Sequence, residues 1–303
     1  MRLHRRVLDE LVVQPGRPAQ LAARSTSETK ADWLGPLGHA SPKEVAEHDL
    51  DAFRDELERV QELLYADSSW SVLVVLQALD TAGKDGTIKH VMSGVNPQGC
   101  EVVAFKQPSA EELRHDFLWR CARAVPERGR IGIFNRSYYE EVLVTRVHPE
   151  LVAAERLPDA REPGRRLWEE RYEDINAFER HLVRSGTRLV KLFLHISKET
   201  QRQRFLERLD DPAKQWKLSP ADVAERAHFE AYQEAYEEAI TATSTAWAPW
   251  HVVPADHKFA LRALVGGIVV DVIDALDLRP PSLSKEQERA LVDARRALEG
   301  EAR

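Results

Sequence analysis

The residues with the clearest chemistry stand in one short stretch, Asp80-Thr81-Ala82-Gly83-Lys84-Asp85-Gly86-Thr87. Glycines beside a lysine let backbone N–H groups converge on an anion, while the ammonium adds a point charge. Ala82, Gly83, Lys84, Asp85, Gly86 and Thr87 are therefore read as a phosphate cradle. The match to the usual G-x-x-x-x-G-K-[ST] spacing is partial. Ala78 takes the place of the first glycine, and Asp85 that of the metal-binding Ser or Thr. Asp80 is the odd member. Two like charges about 4 Å apart repel by roughly 4 kcal/mol at an effective dielectric near 20. A carboxylate among phosphates needs a cation between them or a proton to accept, so Asp80 is a candidate metal ligand. The alternative is an ordinary turn with Asp80 as a helix cap, which leaves Lys84 and Gly86 without a task.

The elements that must position this stretch are legible on both sides. Ser71 to Leu79 is a short run rich in Val and Leu, as in a buried strand of a parallel sheet, and a helix can run from Ile88 to Met92. Upstream, Ser41-Pro42-Lys43-Glu44 is a capping box with proline at the first helical position. It opens a helix toward Tyr65 with Val45, Leu50, Phe53, Leu57, Val60 and Leu64 as its apolar stripe. Residues 1–40, with Pro15, Pro18, Gly35, Pro36 and Gly38, show no period and read as an extended arm on the core or on a neighbouring subunit. Downstream come a turn at Asn96-Pro97-Gln98-Gly99, a strand from Glu101 to Lys106, a capped helix from Ser109 to Ala124, and a buried strand from Arg130 to Phe134. The last ends in Asn135-Arg136-Ser137, where Ser137 and Glu140 have capping-box spacing. Asn135 stands where an aspartate usually holds the Mg²⁺ shell, and its amide oxygen can orient metal-bound water. Arg136, at a strand end beside a helix start, is placed to face phosphate, the alternative being a surface arginine.

Leu167 to Arg184 carries Trp168, Tyr172, Ile175, Phe178 and Leu182 at helical steps, a core pattern rather than a base-stacking one. A strand from Arg188 to Ile196 leads to Ser197, which caps a helix with Arg204 and Arg208 one turn apart. Asp210-Asp211-Pro212 breaks that helix, Ala213 to Leu218 forms a loop with Lys214 and Lys217, and Ser219-Pro220-Ala221-Asp222 starts another helix. Helix, basic loop and helix make a lid over about 197–226, whose closure brings arginines over a transferred group. A hairpin without catalytic use is the alternative. Trp250 to Pro254 reads as the fifth strand, Asp256 as the cap of an apolar helix from His257 to Leu276, and Ser284 to Arg303 as a charged helical tail. The fold class expected is α/β: a three-layer P-loop kinase-like domain with a five-stranded parallel sheet. The organisation expected is an arm and helix over 1–65, the kinase domain over 66–280 and a tail over 281–303.

A chain of 303 residues that is 43% hydrophobic can bury one large core. Its net charge of −7 argues against coating nucleic acid, so none is expected as a partner. No apolar run approaches the roughly 20 residues that span a bilayer. The opening segment lacks the form of a secretory signal, and two cysteines, Cys100 and Cys121, exclude a disulfide framework. A cytoplasmic protein without a membrane partner is expected. The 11 histidines show no metal-ligand pair at helical spacing. A polyanion would need a local basic track on this acidic body; Lys89, Arg120, Arg123, Lys214 and Lys217 are the candidates, against solvated faces as the ordinary use of such residues.

Four segments carry a resemblance: LQALDTAGKDGTIKHVMSGVNPQG (Leu76 to Gly99), FNRSYYEEVLVTRVHPE (Phe134 to Glu150), LHISKETQRQRFLERLDDPAKQWKLSPAD (Leu194 to Asp222) and WAPWHVVPADHK (Trp247 to Lys258). Together and in this order they resemble the family-2 polyphosphate kinases. The resemblance implies reversible, Mg²⁺-dependent transfer (with Mn²⁺ as a substitute) from inorganic polyphosphate to nucleoside mono- and diphosphates. AMP would give ADP and ADP would give ATP, with GMP and GDP as further acceptors, in a homodimer or homotetramer. The form FNRSYYE, with Asn135, resembles the branch that accepts both AMP and ADP. In this reading Lys84 and its neighbouring amides cradle phosphate, Asp80 with Asn135 holds the metal, and Arg136, Arg204 and Arg208 stabilise transition-state charge. Lys214 and Lys217 guide the chain. Two rivals stay open at this point: an ATP-dependent P-loop kinase of a small acceptor, and a non-catalytic nucleotide- or polyphosphate-binding regulator. The absence of an Asn-Lys-x-Asp motif disfavours a GTPase.

Overall fold

Five short apolar runs pair side by side into one parallel sheet: β1 (Ser71–Ala78), β2 (Cys100–Ala104), β3 (Ile131–Asn135), β4 (Thr187–His195) and β5 (Trp250–Pro254). The computed structural model describes residues 2–27, 40–158 and 163–301, and the side chain of Lys217 lies outside that set. The strand order is β2-β3-β1-β4-β5. β1 is central and buried at every position, which is why Val72 to Leu76 are apolar without alternation; the polar Ser71 and Gln77 at its ends are hydrogen-bonded. Leu76 lies opposite both Asn135 of β3 and Leu192 of β4, so the functional strand ends are in register. The chain passes from β3 on one side of β1 to β4 on the other. The crevice at the carboxyl ends of β1 and β3 is thus a topological switch point, where ligands of such sheets bind.

Helices cover both faces. On one, α2 (Pro42–Asp67), α3 (Lys84–Val91) and α10 (Lys258–Asp274) pack together. The predicted stripe of α2 is buried at Leu50, Phe53, Leu57, Val60 and Leu64. Gly267 permits this contact, since a Cβ there would lie 2.4 Å from Leu3 Cγ and 2.9 Å from Phe53 Cζ. On the other face lie α5 (Glu140–Val147), α6 (Arg165–Arg184) and α9 (Phe229–Thr243). β4 joins them through Lys191, which reaches Glu179 of α6, and Phe193, whose ring stacks on Tyr236 of α9. Trp168, Tyr172, Ile175 and Leu182 of α6 are core. After β4, α7 (Lys198–Asp210) and α8 (Pro220–Glu225) form the expected hairpin, with the Ser219–Asp222 capping box in place.

Several local expectations are corrected. The arm is not simply extended: it contains α1 (Arg5–Leu11), after which Val13 N–H donates to Trp250 O at 2.8 Å and ties the arm to β5. Gly35, Pro36 and Gly38 lie outside the described residues. The single helix expected from Ser109 to Ala124 is broken into one 3₁₀ turn (Glu112–Arg114) and α4 (Trp119–Ala122). The Ser109–Glu112 box does form, but the Asp116 carboxylate then accepts from Leu118 N–H at 3.0 Å and restarts the chain in a new direction. Asp256 does not cap α10. Its carboxylate accepts from Ser197 N–H at 2.9 Å and Thr26 Oγ1 at 2.8 Å, holding β4's exit to the arm, and His257 occupies the cap. The tail helix α11 (Lys285–Glu301) buries no residue, as its charge pattern suggests. Among the described residues no helix is long and apolar enough to cross a membrane.

Candidate active site

β1 delivers Asp80 to the rim of the crevice, and the chain then bends through two left-handed residues, Thr81 (φ +64°) and Gly83 (φ +112°). Glycine takes that geometry freely; threonine does so at a cost of about 1–3 kcal/mol. α3 begins at Lys84, earlier than Ile88, so the cradle amides belong to the helix's first turn and share its positive end. Lys84 Nζ donates to Ala78 O at 2.7 Å, folding the ammonium back over the strand end. Burial pulls the Lys84 pKa down, helped by Arg136 and opposed by Asp80, Glu140 and Asp85.

β3 delivers the second half. Arg136 is also left-handed (φ +66°), pinned by its N–H to Leu76 O at 3.1 Å. That twist turns its guanidinium onto Asp80, with Nη2 to Oδ1 at 3.1 Å, and brings Nε to 4.0 Å from Glu140 Oε2. Burial works against the Arg136 charge, but Glu140 and Asp80 outweigh it and raise its pKa. Asn135 Nδ2 donates to Asp85 Oδ1 at 2.8 Å, which ties β3 to the cradle and leaves the amide oxygen for other partners.

Glu140 has the spacing of half a capping box with Ser137, but that box does not form. Ser137 Oγ instead accepts from Tyr139 N–H at 3.2 Å, and α5 has no side-chain cap. With the Gln77 amide oriented to satisfy its neighbours, it donates to Glu140 Oε1 at 2.9 Å and accepts from Ser137 Oγ and N–H at 3.1 Å. Burial raises the Glu140 pKa, with Arg136 and Lys84 opposing. The sequence signals for this role are the i, i+4 spacing of Glu140 from Arg136 and its place at the end of FNRSYYE.

The site opens on a cavity of about 520 Å³, lined by Asp80, Arg136 and Glu140 from the sheet side and by Gln201, Arg226 and Tyr232 from α7 to α9. Its volume suits a small ligand of about nucleotide size. Deeper in, Glu141 pairs with Arg120 at 3.1 Å; burial pushes the Glu141 carboxyl up to about 7 despite that arginine.

The structure separates the expected arginines. Arg204 is 5% exposed, and its Nη1 donates to Thr81 O and Ala82 O, both at 3.0 Å. Nη2 donates to Ala255 O at 2.7 Å and Asp256 O at 3.0 Å. All four Nη hydrogens are thus used behind the loop, a buttress geometry that points away from the crevice. Arg208 is half-buried one turn further along α7. Arg120 lines the cavity, but its guanidinium is held by Lys106 O at 2.7 Å and by Glu141. Arg123 lies over the Trp119 ring at 4.7 Å, Lys89 is exposed at the end of α3, and Lys214 pairs with Asp211; none of these three lines the cavity. The side chain of Lys217 lies outside the described residues.

The donor set near the cradle is hard: carboxylates of Asp80 and Asp85 and the amide oxygen of Asn135. That suits Mg²⁺, which takes one or two carboxylates, keeps waters and shares substrate phosphates rather than needing an all-protein cage. Among the described residues no group of three or more His, Cys, Asp or Glu forms such a cage.

The chain as a whole is similar to known proteins. The model of the Polyphosphate kinase 2 (PPK2) family matches residues 40–280. The chain is 48% identical over 258 residues to an ADP-polyphosphate phosphotransferase of Rhodopseudomonas palustris, covering 84% of this chain and 89% of that one. It is 45% identical over 251 residues to an AMP/ADP-polyphosphate phosphotransferase of Meiothermus ruber, covering 83% and 90%. Its structure is similar to that of polyphosphate kinase 2 from Arthrobacter aurescens TC1, with a TM-score of 0.83 and 39% identity, covering 95% of this chain and 96% of that one.

Proposed function

The chain belongs to the polyphosphate kinase 2 family and is a polyphosphate:nucleotide phosphotransferase, and we propose that it works reversibly, with Mg²⁺, on both AMP and ADP. The observation that carries the site assignment is the meeting of Asp80 and Arg136 on the wall of the cavity where β1 and β3 end, with Lys84 folded onto the end of β1 beside them.

Phosphoryl transfer asks a protein to align donor and acceptor oxygens and to neutralise charge on the equatorial oxygens. Lys84 and the first-turn amides of α3 hold the phosphate at the cradle. Arg136, steadied by Asp80 and Glu140, presents its remaining N–H groups to the transferred group, and its strained backbone fixes that aim before substrate arrives. Asp80, with Asp85 and Asn135, would hold Mg²⁺, which when bound neutralises phosphate charge and fixes the phosphates' orientation. The α7–α8 hairpin acts as the lid that excludes water. Lys89, Arg123, Lys214 and Lys217 guide the polyphosphate chain, GMP and GDP serve as further acceptors, and the protein works as a cytoplasmic homodimer or homotetramer. Arg204 supports the loop rather than the transition state.

The test is a transfer assay with polyphosphate and Mg²⁺, following ADP formed from AMP and ATP formed from ADP, with a chelator as control. Lys84→Ala should keep the wild-type melting curve and lose nearly all transfer. An active Lys84→Ala protein would remove the cradle from the mechanism, and transfer that persists in chelator would remove the metal.

A further inference from the structure

Two buried side chains of α7, Arg204 and Gln201, join the lid hairpin to the phosphate loop, and Gln201 alone of the two also meets the hairpin's far end. Gln201 of α7 is 4% exposed, and its Nε2 donates to Asp80 O at 3.3 Å. Its backbone carbonyl faces Thr81 Oγ1 at 3.5 Å, beside the left-handed residue of the loop. On the opposite side its Oε1 accepts from Arg226 Nη1 at 3.0 Å, and the same nitrogen donates to Lys198 O at 2.6 Å. Arg226 follows α8 directly, at the far end of the hairpin, and it lines the cavity together with Gln201. The amide fits in one orientation only. Swapped, it would set its oxygen against the Asp80 carbonyl and its NH₂ against a guanidinium, two contacts without a hydrogen bond.

We propose that Gln201 is a positioning residue that couples Arg226, at the end of the lid, to the backbone of Asp80 and Thr81 in the phosphate loop. Where the lid places Arg226 sets how firmly the loop is held, so closure and cradle geometry are linked. The coupling runs through contiguous hydrogen bonds, Arg226 to Gln201 to the loop, with Arg204 of the same helix fixing the carbonyls of Thr81 and Ala82. This rests on the hairpin's role in the proposed function.

The experiment compares Gln201→Met, Gln201→Glu, Arg226→Met and the double variant Gln201→Met/Arg226→Met. Steady-state kinetics with polyphosphate and ADP are measured beside amide hydrogen exchange over residues 80–86 in the ligand-free protein. Each single change should lower kcat about tenfold, the scale of one or two lost hydrogen bonds, leave both KM values within about twofold, and speed exchange in the loop. Gln201→Glu keeps the Arg226 contact but cannot donate to Asp80 O, so its loop should exchange as fast as that of Gln201→Met. The double variant should be no slower than the worse single. Should Gln201→Met melt below the assay temperature, Gln201→Glu and Arg226→Met carry the same comparison. A double variant whose losses multiply would overturn the coupling. So would Arg226→Met that raises KM for polyphosphate and leaves loop exchange unchanged, since that is a direct ligand contact. A wild-type protein without transfer activity would defeat the functional reading instead, and loop exchange would still decide the relay.

Discussion

Replacing Glu179 by Gln removes one charge from a network with no access to water. Lys191 and Glu179 both have 0% side-chain exposure, and Lys191 Nζ donates to Glu179 Oε2 at 2.6 Å, Thr243 O at 2.6 Å and Tyr139 OH at 3.1 Å. Glu179 Oε1 accepts from Tyr138 OH at 2.9 Å and Tyr139 OH at 2.8 Å. Breaking a buried pair from one side costs about 3–5 kcal/mol, because the remaining charge is left unpaired. In Glu179→Gln, Lys191 can shed its proton, since burial already pulls its pKa down; the loss should fall near the low end, ~3 kcal/mol. That corresponds to a Tm lower by roughly 6–12 °C at the two to four degrees per kcal/mol of a domain this size. Lys191→Met leaves a buried carboxylate that cannot escape so easily, and should cost ~4–5 kcal/mol. Lys191→Met/Glu179→Gln keeps the tyrosine bonds and has no charge, so it should be better than the sum of the singles by at least about 2 kcal/mol. Chemical denaturation at 25 °C reads all three. There is also a pH signature. A lysine with a lowered folded-state pKa gains stability as pH rises toward 10.5, and the gain should be steeper in Glu179→Gln than in wild type. Because Tyr138 and Tyr139 lie between Arg136 and Glu140, kcat should fall along with stability. Additive singles, or a Glu179→Gln loss below about 1 kcal/mol, would refute the claim that this pair is a coupled, dry support for the site.

Arg204→Lys can satisfy at most three of four buried carbonyls, so it should cost about 1–3 kcal/mol of stability and roughly tenfold in kcat. A variant of wild-type stability that loses 10³-fold or more would restore Arg204 as a transition-state arginine, by the scale known for arginine fingers. Burial lowers His195 and His251 from 6.5 to about 4. As pH falls through that window the unfolded chain takes up protons that the folded one refuses, so each histidine removes up to about 1.4 kcal/mol per pH unit. Denaturation curves at pH 7, 6 and 5 should show His251→Asn losing less than wild type, and parallel losses would mean His251 is not the cause. Asp80→Asn keeps its shape but loses the charge that faces Arg136 and any cation; transfer should collapse, and raised Mg²⁺ should recover at most part of it. Wild-type rates and Mg²⁺ dependence would reduce Asp80 to a backbone cap.

What could be read in the sequence was local. β5 at Trp250–Pro254 shows as a short apolar run bounded by breakers, the mark of a buried strand. α2 and the Ser219 start of α8 followed from capping boxes, whose bonds span three residues. The cradle was legible because glycine, lysine and strand–helix order are contiguous. Hidden were roles made by distant partners. Arg204 meets carbonyls of Thr81 and Ala82, more than 120 residues earlier, and nothing in its own segment marks it as a buttress. Glu140 had the spacing of a cap, yet Gln77 from another strand and Arg136 claimed it. The helix expected through Ala124 failed because Asp116 offers the backbone a competing cap, which apolar periodicity alone does not weigh.

The most direct test of the central claim is a donor comparison at fixed ADP and Mg²⁺. Polyphosphate should yield ATP, and the rate with long chains should fall more steeply with added salt than with short ones, since exposed charges beyond about 8 Å are largely screened at physiological ionic strength. No ATP from polyphosphate, while another phosphoryl donor supports transfer through the same Lys84, would contradict it.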